Sequence, residues 1–270
     1  MKYKIDNDMH IHTFQSICSN DENQTPANIL KYAIDKGRKT ICIADHYWDS
    51  AVKVNSKYNW WYEKQNFEHI SKSLPLPKAD GVDFLFGAEV DLDSDETIGL
   101  PESRYDDFEF IVVSTTHFNH LTGPEWEKPS CQDRANAYVK RFDALLNMNL
   151  PFYKVGFAHP VCYLINNNSR EEYLKTLDLI PTEELRRLFS KSAKLGLGIE
   201  INYSDMCFSD DEANVVLRPL KIAKECGCKF YLASDSHGLK TFEKVDEKFE
   251  RAIDLLSLEE DDKFPLVKKG

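Results

Sequence analysis

Histidines and carboxylates follow short apolar segments throughout this chain of 270 residues. Neutral imidazoles and carboxylates are common ligands of divalent transition-metal ions, so their recurrence indicates a metal cluster. One histidine alone would more often be structural, but six of the eight histidines follow such segments. The predicted metal ligands of this kind are His10, His12, His46, Glu89, His117, His159, Asp235 and His237.

Three carboxylates have predicted catalytic roles. Glu89 ends an apolar run that should be buried, where a carboxylate is costly unless it is paired or bound to a metal, and its two oxygens could bridge two ions. Asp235 lies two positions before His237, so the two side chains should share one face of a strand. Asp45 precedes His46 and could orient an imidazole, protonate a leaving group or act as a structural cap.

The apolar segments predict seven strands, which recur roughly every 25–45 residues with helical stretches between them. The length allows one large α/β barrel or two smaller domains, and the alternation is typical of a parallel sheet with crossover helices. The carboxyl ends of the strands in such a sheet surround one pocket. The candidate ligands lie at these ends, so they should converge there. Helices are predicted from Thr25 to Gly37, from Thr182 to Gly196, and at about 132–147, 218–226 and 241–256.

The first strand shows the spacing most clearly. Alternate residues of a strand face the same side, so Asp8, His10 and His12 should share one face and Met9 and Ile11 the other.

The sixth strand ends in two polar residues. Glu200 and Asn202 should lie on one face, where each could orient a ligand or form a hydrogen bond with substrate.

Two long connections follow strands, one over about residues 47–72 and the other over 118–132. Loops after strands build the active sites of α/β barrels, so both are candidate substrate walls, although their tryptophans could equally cap barrel hydrophobes. Arg134 and Lys240 lie in or near loops on the pocket side and are predicted to contact a phosphate, with solvated surface positions as the alternative. His69 and His120 do not stand at predicted strand ends and are interpreted as structural.

The composition limits the classes of partner. A formal net charge of −11 and no dense block of Lys or Arg disfavour nucleic acid, which basic surfaces bind. The polar start of the chain shows no signal-peptide pattern and no apolar run could span a membrane, so a cytoplasmic protein is expected. Seven cysteines without a Cys-x-x-Cys motif predict neither a disulfide framework nor a zinc ribbon.

Taken in order, these motifs resemble the polymerase and histidinol phosphatase (PHP) family. They are Asp8-Met9-His10-Ile11-His12, Ala44-Asp45-His46, Gly87-Ala88-Glu89, His117, Ala158-His159-Pro160 and Ser234-Asp235-Ser236-His237. The resemblance implies a distorted (β/α)7 TIM-like barrel formed by one domain over residues 1–270, with the metal site at the strand carboxyl ends.

The resemblance also implies how the ligands divide among ions. One ion would be held by His10, His12, Glu89 and Asp235, and a second by Glu89, His117 and His159. A third would be held by His46, His237 and the residue six positions after His12, which is Cys18 here where the family commonly has Asp or His. A thiolate would favour zinc or iron over manganese; alternatively, Asp21 substitutes for it, or the third site is weak or empty.

The activity implied is hydrolysis of a small phosphomonoester, such as histidinol phosphate or a related metabolite, with two or three divalent ions (zinc, manganese or iron). Two close ions lower the pKa of a water between them, which makes a metal-bridging hydroxide available near neutral pH. Two alternatives stay open: a nuclease or phosphodiesterase of the polymerase-associated type, and a non-catalytic metal-binding domain.

Overall fold

The computed structural model describes residues 1–266, so the last four residues of the predicted 1–270 domain lie outside it. Seven strands form one parallel sheet in sequence order. They are β1 (Asn7–Ile11), β2 (Thr40–His46), β3 (Asp83–Asp91), β4 (Phe110–Ser114), β5 (Val155–Phe157), β6 (Gly198–Asn202) and β7 (Lys229–Ala233). The sheet curls into a nearly closed barrel with helices between its strands, which confirms the predicted (β/α)7 TIM-like fold.

The first and last strands meet along a seam that side chains help to close. The amide of Asp235 donates to the carbonyl of His10 at 2.7 Å, beyond the last residue of β7. Further down, the side-chain oxygens of Asn7 and Asp8 accept the amides of Leu232 and Ser234 at 2.9 and 2.8 Å. Two side chains thus take the place of regular ladder bonds in this seam.

Helices follow most strands and cover the outside of the barrel. The longer ones are α1 (Pro26–Lys36), α4 (Cys131–Leu146), α5 (Arg170–Leu179), α6 (Thr182–Leu195), α8 (Arg218–Glu225) and α9 (Thr241–Leu256), and the short ones are α2 (Asn59–Glu63), α3 (Phe67–Ile70) and α7 (Ala213–Val216). All five predicted helices are confirmed, whereas α5 was not predicted. Within residues 1–266, no helix combines the length and apolar character needed to cross a membrane.

The ends of α1 show how sequence sets the helix boundaries. The Thr25 side chain accepts a hydrogen bond from the amide of Asn28, and Pro26 occupies the first turn, where its missing N–H costs nothing. Gly37 ends the helix with a φ of 67°, a left-handed conformation that glycine adopts without steric cost.

The barrel interior is a small apolar cluster that is separate from the larger layer under the helices. It has room for Tyr231 because Gly156 faces that ring: a Cβ at position 156 would come within 2.5 Å of three phenol atoms. The Tyr231 hydroxyl donates to Glu200 at 2.8 Å, so the apolar interior is connected to the polar end of the barrel.

The predicted alternation along β1 is only partly correct. His10 and His12 both reach the cavity, but Asp8 faces α1, where it accepts a hydrogen bond from the Tyr32 hydroxyl at 2.8 Å. Met9 packs in the barrel interior and Ile11 under the helices, so these two do not share a face either. The physical reason is an irregularity in the pairing of β1 with β2 between Asp8 and Ile11, because a bulge there shifts the alternation by one residue.

Candidate metal centre

A cavity of about 340 Å³ opens at the carboxyl ends of the strands. Its walls include side chains contributed by the ends of β2 and β3 and by the segments that follow β4, β5, β6 and β7. The predicted ligands on its surface are Cys18, His46, Glu89, His117, His159, Asp235 and His237. His10 and His12 lie below them, fully buried. The predicted convergence of these residues on one pocket is therefore observed.

Glu89 lies at the centre of this cluster and is only 1 % exposed. Its Oε2 is 3.1 Å from Nδ1 of His46, 3.3 Å from Nε2 of His10 and 3.4 Å from Nε2 of His12. Its Oε1 is 3.1 Å from Nε2 of His159. One carboxylate thus faces four imidazoles with both oxygens, the geometry that a bridging ligand requires.

His10 and His12 approach each other with their Nε2 atoms 3.1 Å apart. Nδ1 of His10 lies 3.1 Å from Glu200, and Nδ1 of His12 lies 2.9 Å from the Ser16 hydroxyl, whose own proton goes to Asp45. These partners place the ring proton of each neutral imidazole on Nδ1, which leaves a lone pair on each Nε2. Two lone pairs facing each other beside a carboxylate are unfavourable unless a cation lies among them.

His117 and His159 show the same arrangement on the other side of Glu89. Nδ1 of His117 is 2.6 Å from Asp91, and Nδ1 of His159 is 2.8 Å from the Thr116 hydroxyl. Their rings stack with centroids 4.7 Å apart. In metal-binding histidines, the ring nitrogen that does not bind the ion usually donates its N–H to a carboxylate, hydroxyl or carbonyl. The contacts of His117 and His159 have this form, so the pair is suited to bind an ion.

A third group of donors contains the one residue that departs from the resemblance. Cys18 lies with His12, His46 and His237 so that one ligand atom from each falls within 4.8 Å of the others. Nδ1 of His46 is buried and forms no hydrogen bond of acceptable geometry, although it lies 3.1 Å from Oε2 of Glu89. A bound cation would give this nitrogen a partner. The alternative ligand Asp21 instead accepts a hydrogen bond from the amide of Leu239 at 3.1 Å.

The electrostatics of the cluster favour bound positive charge. Burial alone would raise the pKa of Glu89, but His46 and His10 beside it outweigh burial and hold this pKa well below its usual value. Burial likewise lowers the pKa of His12, yet Asp235 and Glu89 reverse this effect and raise it to about 9. Ionised carboxylates therefore dominate the site, and they attract either protons on the imidazoles or metal ions in their place.

Two predicted ligands occupy backbone conformations that residues other than glycine rarely adopt. His159 has a φ of 28° and Asp235 a φ of 48°. Left-handed backbone at such residues costs about 1–3 kcal/mol and tends to occur at functional sites. Both residues lie two positions after the last residue of a strand, and both side chains line the cavity.

Asp45 and Asn202 support the ligands through hydrogen bonds. Both oxygens of Asp45 are occupied by Thr13 and Ser16, and Ser16 in turn contacts His12, so Asp45 is placed to orient an imidazole. Asn202 donates to Asp235 at 3.2 Å and to Glu200 at 2.7 Å. A role of Asn202 in substrate binding stays a prediction.

The two cationic residues predicted to contact phosphate lie away from this cavity. Arg134 is buried on α4, donates to the carbonyl of Ile165 at 3.0 Å and lines a separate cavity of about 870 Å³. Lys240 is exposed at the start of α9. Neither is among the residues that line the metal cavity, so phosphate contact stays a prediction for both.

The long connections contribute walls, as predicted, but through few of their aromatic residues. Trp61 lines the cavity and meets the His46 ring edge-on at 4.5 Å, whereas Trp48 is buried against Tyr62. Trp126 lines the separate cavity. His120, interpreted as structural, also lines the metal cavity and lies 2.6 Å from the Tyr62 hydroxyl.

Sequence reasoning missed several residues of the site, including Ser16 and Thr116, which orient His12 and His159. Asp91 orients His117 and could have been found, because it lies two positions after Glu89 on the same face of β3. Cys162 and Asp205 lie beyond the ends of β5 and β6 at single 3-10 turns, which are too short to show a periodicity. Burial raises the pKa of Asp205 to about 7, so this carboxyl retains its proton much closer to neutral pH than an exposed aspartic acid does.

Comparison with known proteins identifies the family of this chain. Residues 8–204 match the PHP domain model, whereas no curated protein matches the chain significantly. The structure of histidinol phosphate phosphatase HisK from Lactococcus lactis subsp. lactis Il1403, complexed with zinc, L-histidinol and phosphate, is 15% identical with a TM-score of 0.51, over 92% of this chain and 93% of that one.

A second similar structure is a probable 2-pyrone-4,6-dicarboxylic acid hydrolase from Acinetobacter baumannii with citric acid bound. It is 13% identical, with a TM-score of 0.42, over 94% of this chain and 96% of that one. The family model extends over well more than half of the sequence and contains most of the ligand-bearing strands. The chain belongs to the PHP domain family.

Proposed function

We propose that this protein is a metal-dependent phosphoesterase that hydrolyses a small phosphomonoester. Family membership and the histidine–carboxylate cluster support a metal-dependent hydrolase. The finer assignment to a phosphatase draws on the HisK structure, whose bound molecules are histidinol and phosphate. Histidinol phosphate or a related metabolite is therefore the first substrate to test.

The observation that carries the proposal is the inward orientation of the imidazole lone pairs around Glu89. His10, His12, His117 and His159 each have Nδ1 engaged by a neighbour, so Nε2 is the nitrogen available to the cavity. These residues together with Asp235, and with Cys18, His46 and His237, would hold two or three divalent ions of zinc, manganese or iron. Such ions, when bound, hold phosphate oxygens and lower the pKa of a coordinated water.

The charges of the site suit a phosphate despite the net charge of −11 on the whole chain. Of the carboxylates that face or support the predicted ligands, Glu89 and Asp235 line the cavity, whereas Asp45, Asp91 and Glu200 are not among its lining residues. Bound divalent ions would therefore face the cavity directly and attract a small dianion.

Residues of the chain would also position the substrate and supply a proton to the leaving group. Trp61 and His120 form part of the wall, which limits access of bulk water to the substrate. Asp205 lies in the same wall and its Oδ2 accepts the amide of Val161 at 3.2 Å. We assign to its other oxygen the transfer of a proton to the leaving-group oxygen as the ester bond breaks, because an alkoxide leaving group needs one.

A phosphate-release screen tests the proposal. Protein that has been loaded separately with zinc, manganese and iron would be offered histidinol phosphate, other phosphorylated metabolites, a phosphodiester and single-stranded DNA. Release of phosphate from a monoester is expected, with little cleavage of the diester or DNA. Preference for the diester or DNA would favour the nuclease alternative, and no hydrolysis by metal-loaded protein would favour a binding domain.

A further inference from the structure

Cys162 is a thiol in the metal cavity to which the sequence motifs assign no role. It lies three positions after His159, at the start of the single helical turn Tyr163–Ile165. The amide of Leu164 donates to its Sγ at 3.4 Å, which fixes where the sulfur points. Its Sγ and one ring nitrogen each of His117 and His159 all lie within 4.8 Å of one another.

The two histidines beside this thiol are already prepared to bind an ion. Their Nδ1 atoms are engaged by Asp91 and Thr116, and Nε2 of His159 lies 3.1 Å from Oε1 of Glu89. Two imidazoles and one carboxylate oxygen would supply three ligands, and an ion that expands to five-coordinate would accept a fourth protein ligand and still keep a position for water or phosphate. Among the described residues, Cys162 is the thiol placed with this pair.

We propose that Sγ of Cys162 ligates the ion held between His117 and His159. This inference rests on the proposed function, because it requires that ion. Together with Cys18 beside His46 and His237, it would put a soft sulfur donor at each end of the metal centre. Sulfur ligands favour zinc, iron and cobalt over manganese and magnesium, so the metal preference of this chain would differ from that of an all-nitrogen and oxygen site.

Cobalt substitution provides a readout that is independent of activity. Metal-stripped protein would be reloaded with Co²⁺, its cobalt content measured by elemental analysis, and its sulfur-to-cobalt charge-transfer absorption recorded per bound ion. The variants are Cys162→Ser, Cys18→Ser and the double variant, with Cys207→Ser as a matched control because Cys207 is exposed. Serine can still accept the Leu164 amide, which preserves the local turn.

Cys162→Ser is expected to lose the part of the charge-transfer absorption that one thiolate contributes. If Cys18 also binds cobalt, this part is half of the wild-type absorption. The double variant should lose the band, and Cys207→Ser should retain it. An unchanged band in cobalt-loaded Cys162→Ser would overturn the inference and leave the proposed function intact. A wild-type protein that binds no cobalt, zinc, manganese or iron would overturn both.

X-ray absorption covers the case in which Cys162→Ser fails to fold. In zinc-loaded Cys18→Ser protein, where Cys162 is unchanged, a sulfur shell at about 2.3 Å from zinc is expected. A shell of nitrogen and oxygen alone, in that variant, would contradict ligation by Cys162.

Discussion

Four imidazoles of the metal centre depend on a neighbour outside the cavity for their orientation. Glu200 contacts His10, Ser16 contacts His12, Asp91 contacts His117 and Thr116 contacts His159. These neighbours fix the tautomer and the ring plane, so the donor atoms are positioned before any ion arrives. At the scale of single residues, the site is therefore preorganised, and its most sensitive member should be Glu89, which His10, His12 and His159 approach.

Glu89→Gln should remove metal and activity together. The amide keeps the size of the side chain but lacks the negative charge, and it brings an N–H toward imidazole lone pairs. Loss of a supporting residue alone typically lowers metal affinity about 10–100-fold, so loss of this central ligand should exceed that range. Metal content and phosphate release would be measured, with Glu183→Gln as control because Glu183 is exposed on α6. Near-normal metal content in Glu89→Gln would contradict the central role of Glu89.

Asp205→Asn should slow hydrolysis in a way that depends on the leaving group. An amide cannot supply the proton, so esters of ordinary alcohols should lose roughly 10²–10⁴-fold in rate, the usual contribution of general acid catalysis. A nitrophenyl ester, whose leaving group needs no proton, should be hydrolysed almost normally. Comparing kcat for the two esters separates proton transfer from structural damage, since equal losses for both would exclude the assigned role.

Most of the site residues were predictable because a ligand at a strand end interrupts an apolar run. Glu89 and His117 stand out in the sequence for this reason. Asp205 and Cys162 do not, because each lies at a single 3-10 turn too short to show a periodicity, and their positions depend on tertiary packing. The placement of Arg134 also depends on packing: its helix turns the guanidinium toward Ile165 and a different cavity.

At the scale of elements, the ends of β3 and β4 are held by a helix. Arg141 on α4 is buried and donates to the carbonyls of Thr115 and Asp93 at 2.9 and 2.8 Å, and also to that of Leu92. Burial lowers the pKa of this guanidinium to about 10, which still leaves it charged at neutral pH. The segments it joins carry Asp91 and His117, so α4 fixes the spacing of one side of the metal centre.

Arg141→Met should destabilise the protein by about 2–4 kcal/mol, because three buried carbonyl groups lose this donor, although that of Asp93 still accepts the amide of Glu96 at 3.2 Å. Urea unfolding of metal-free protein would measure this free energy. Arg186→Met is the matched control, since Arg186 is 46% exposed and forms one surface ion pair with Glu225. If Arg141→Met lowers the free energy of unfolding as little as the control does, water replaces the guanidinium as the donor to these carbonyls.

The strand and helix pattern was predictable from periodicity, whereas the bulge in β1 was not. Strict alternation places Asp8 beside His10, but the irregular pairing turns Asp8 toward Tyr32. A bulge leaves no clear mark in one sequence, because its cause is the pairing with the neighbouring strand. Helix α5 was missed for a related reason: its apolar residues are few, and its packing against α4 and α7 supplies what local sequence does not.

At the scale of the whole molecule, metal should contribute to global stability. The ligands come from strands throughout the sheet, so an unfolded chain cannot reproduce the site. Metal at a hundredfold excess over its Kd would add about 2.7 kcal/mol to the free energy of unfolding. Chelation should lower the thermal midpoint and zinc or manganese should restore it; a midpoint that does not respond to either would argue against binding at this centre.

The seam between β1 and β7 also affects when the metal centre can form during protein synthesis. His12 and Asp235 face each other at 3.1 Å, although 223 positions separate them in the sequence. During synthesis the first ligands therefore leave the ribosome long before their partner exists. Nascent chains can acquire a complete centre only after Asp235 has been synthesised, so metal loading would coincide with joining of β1 and β7.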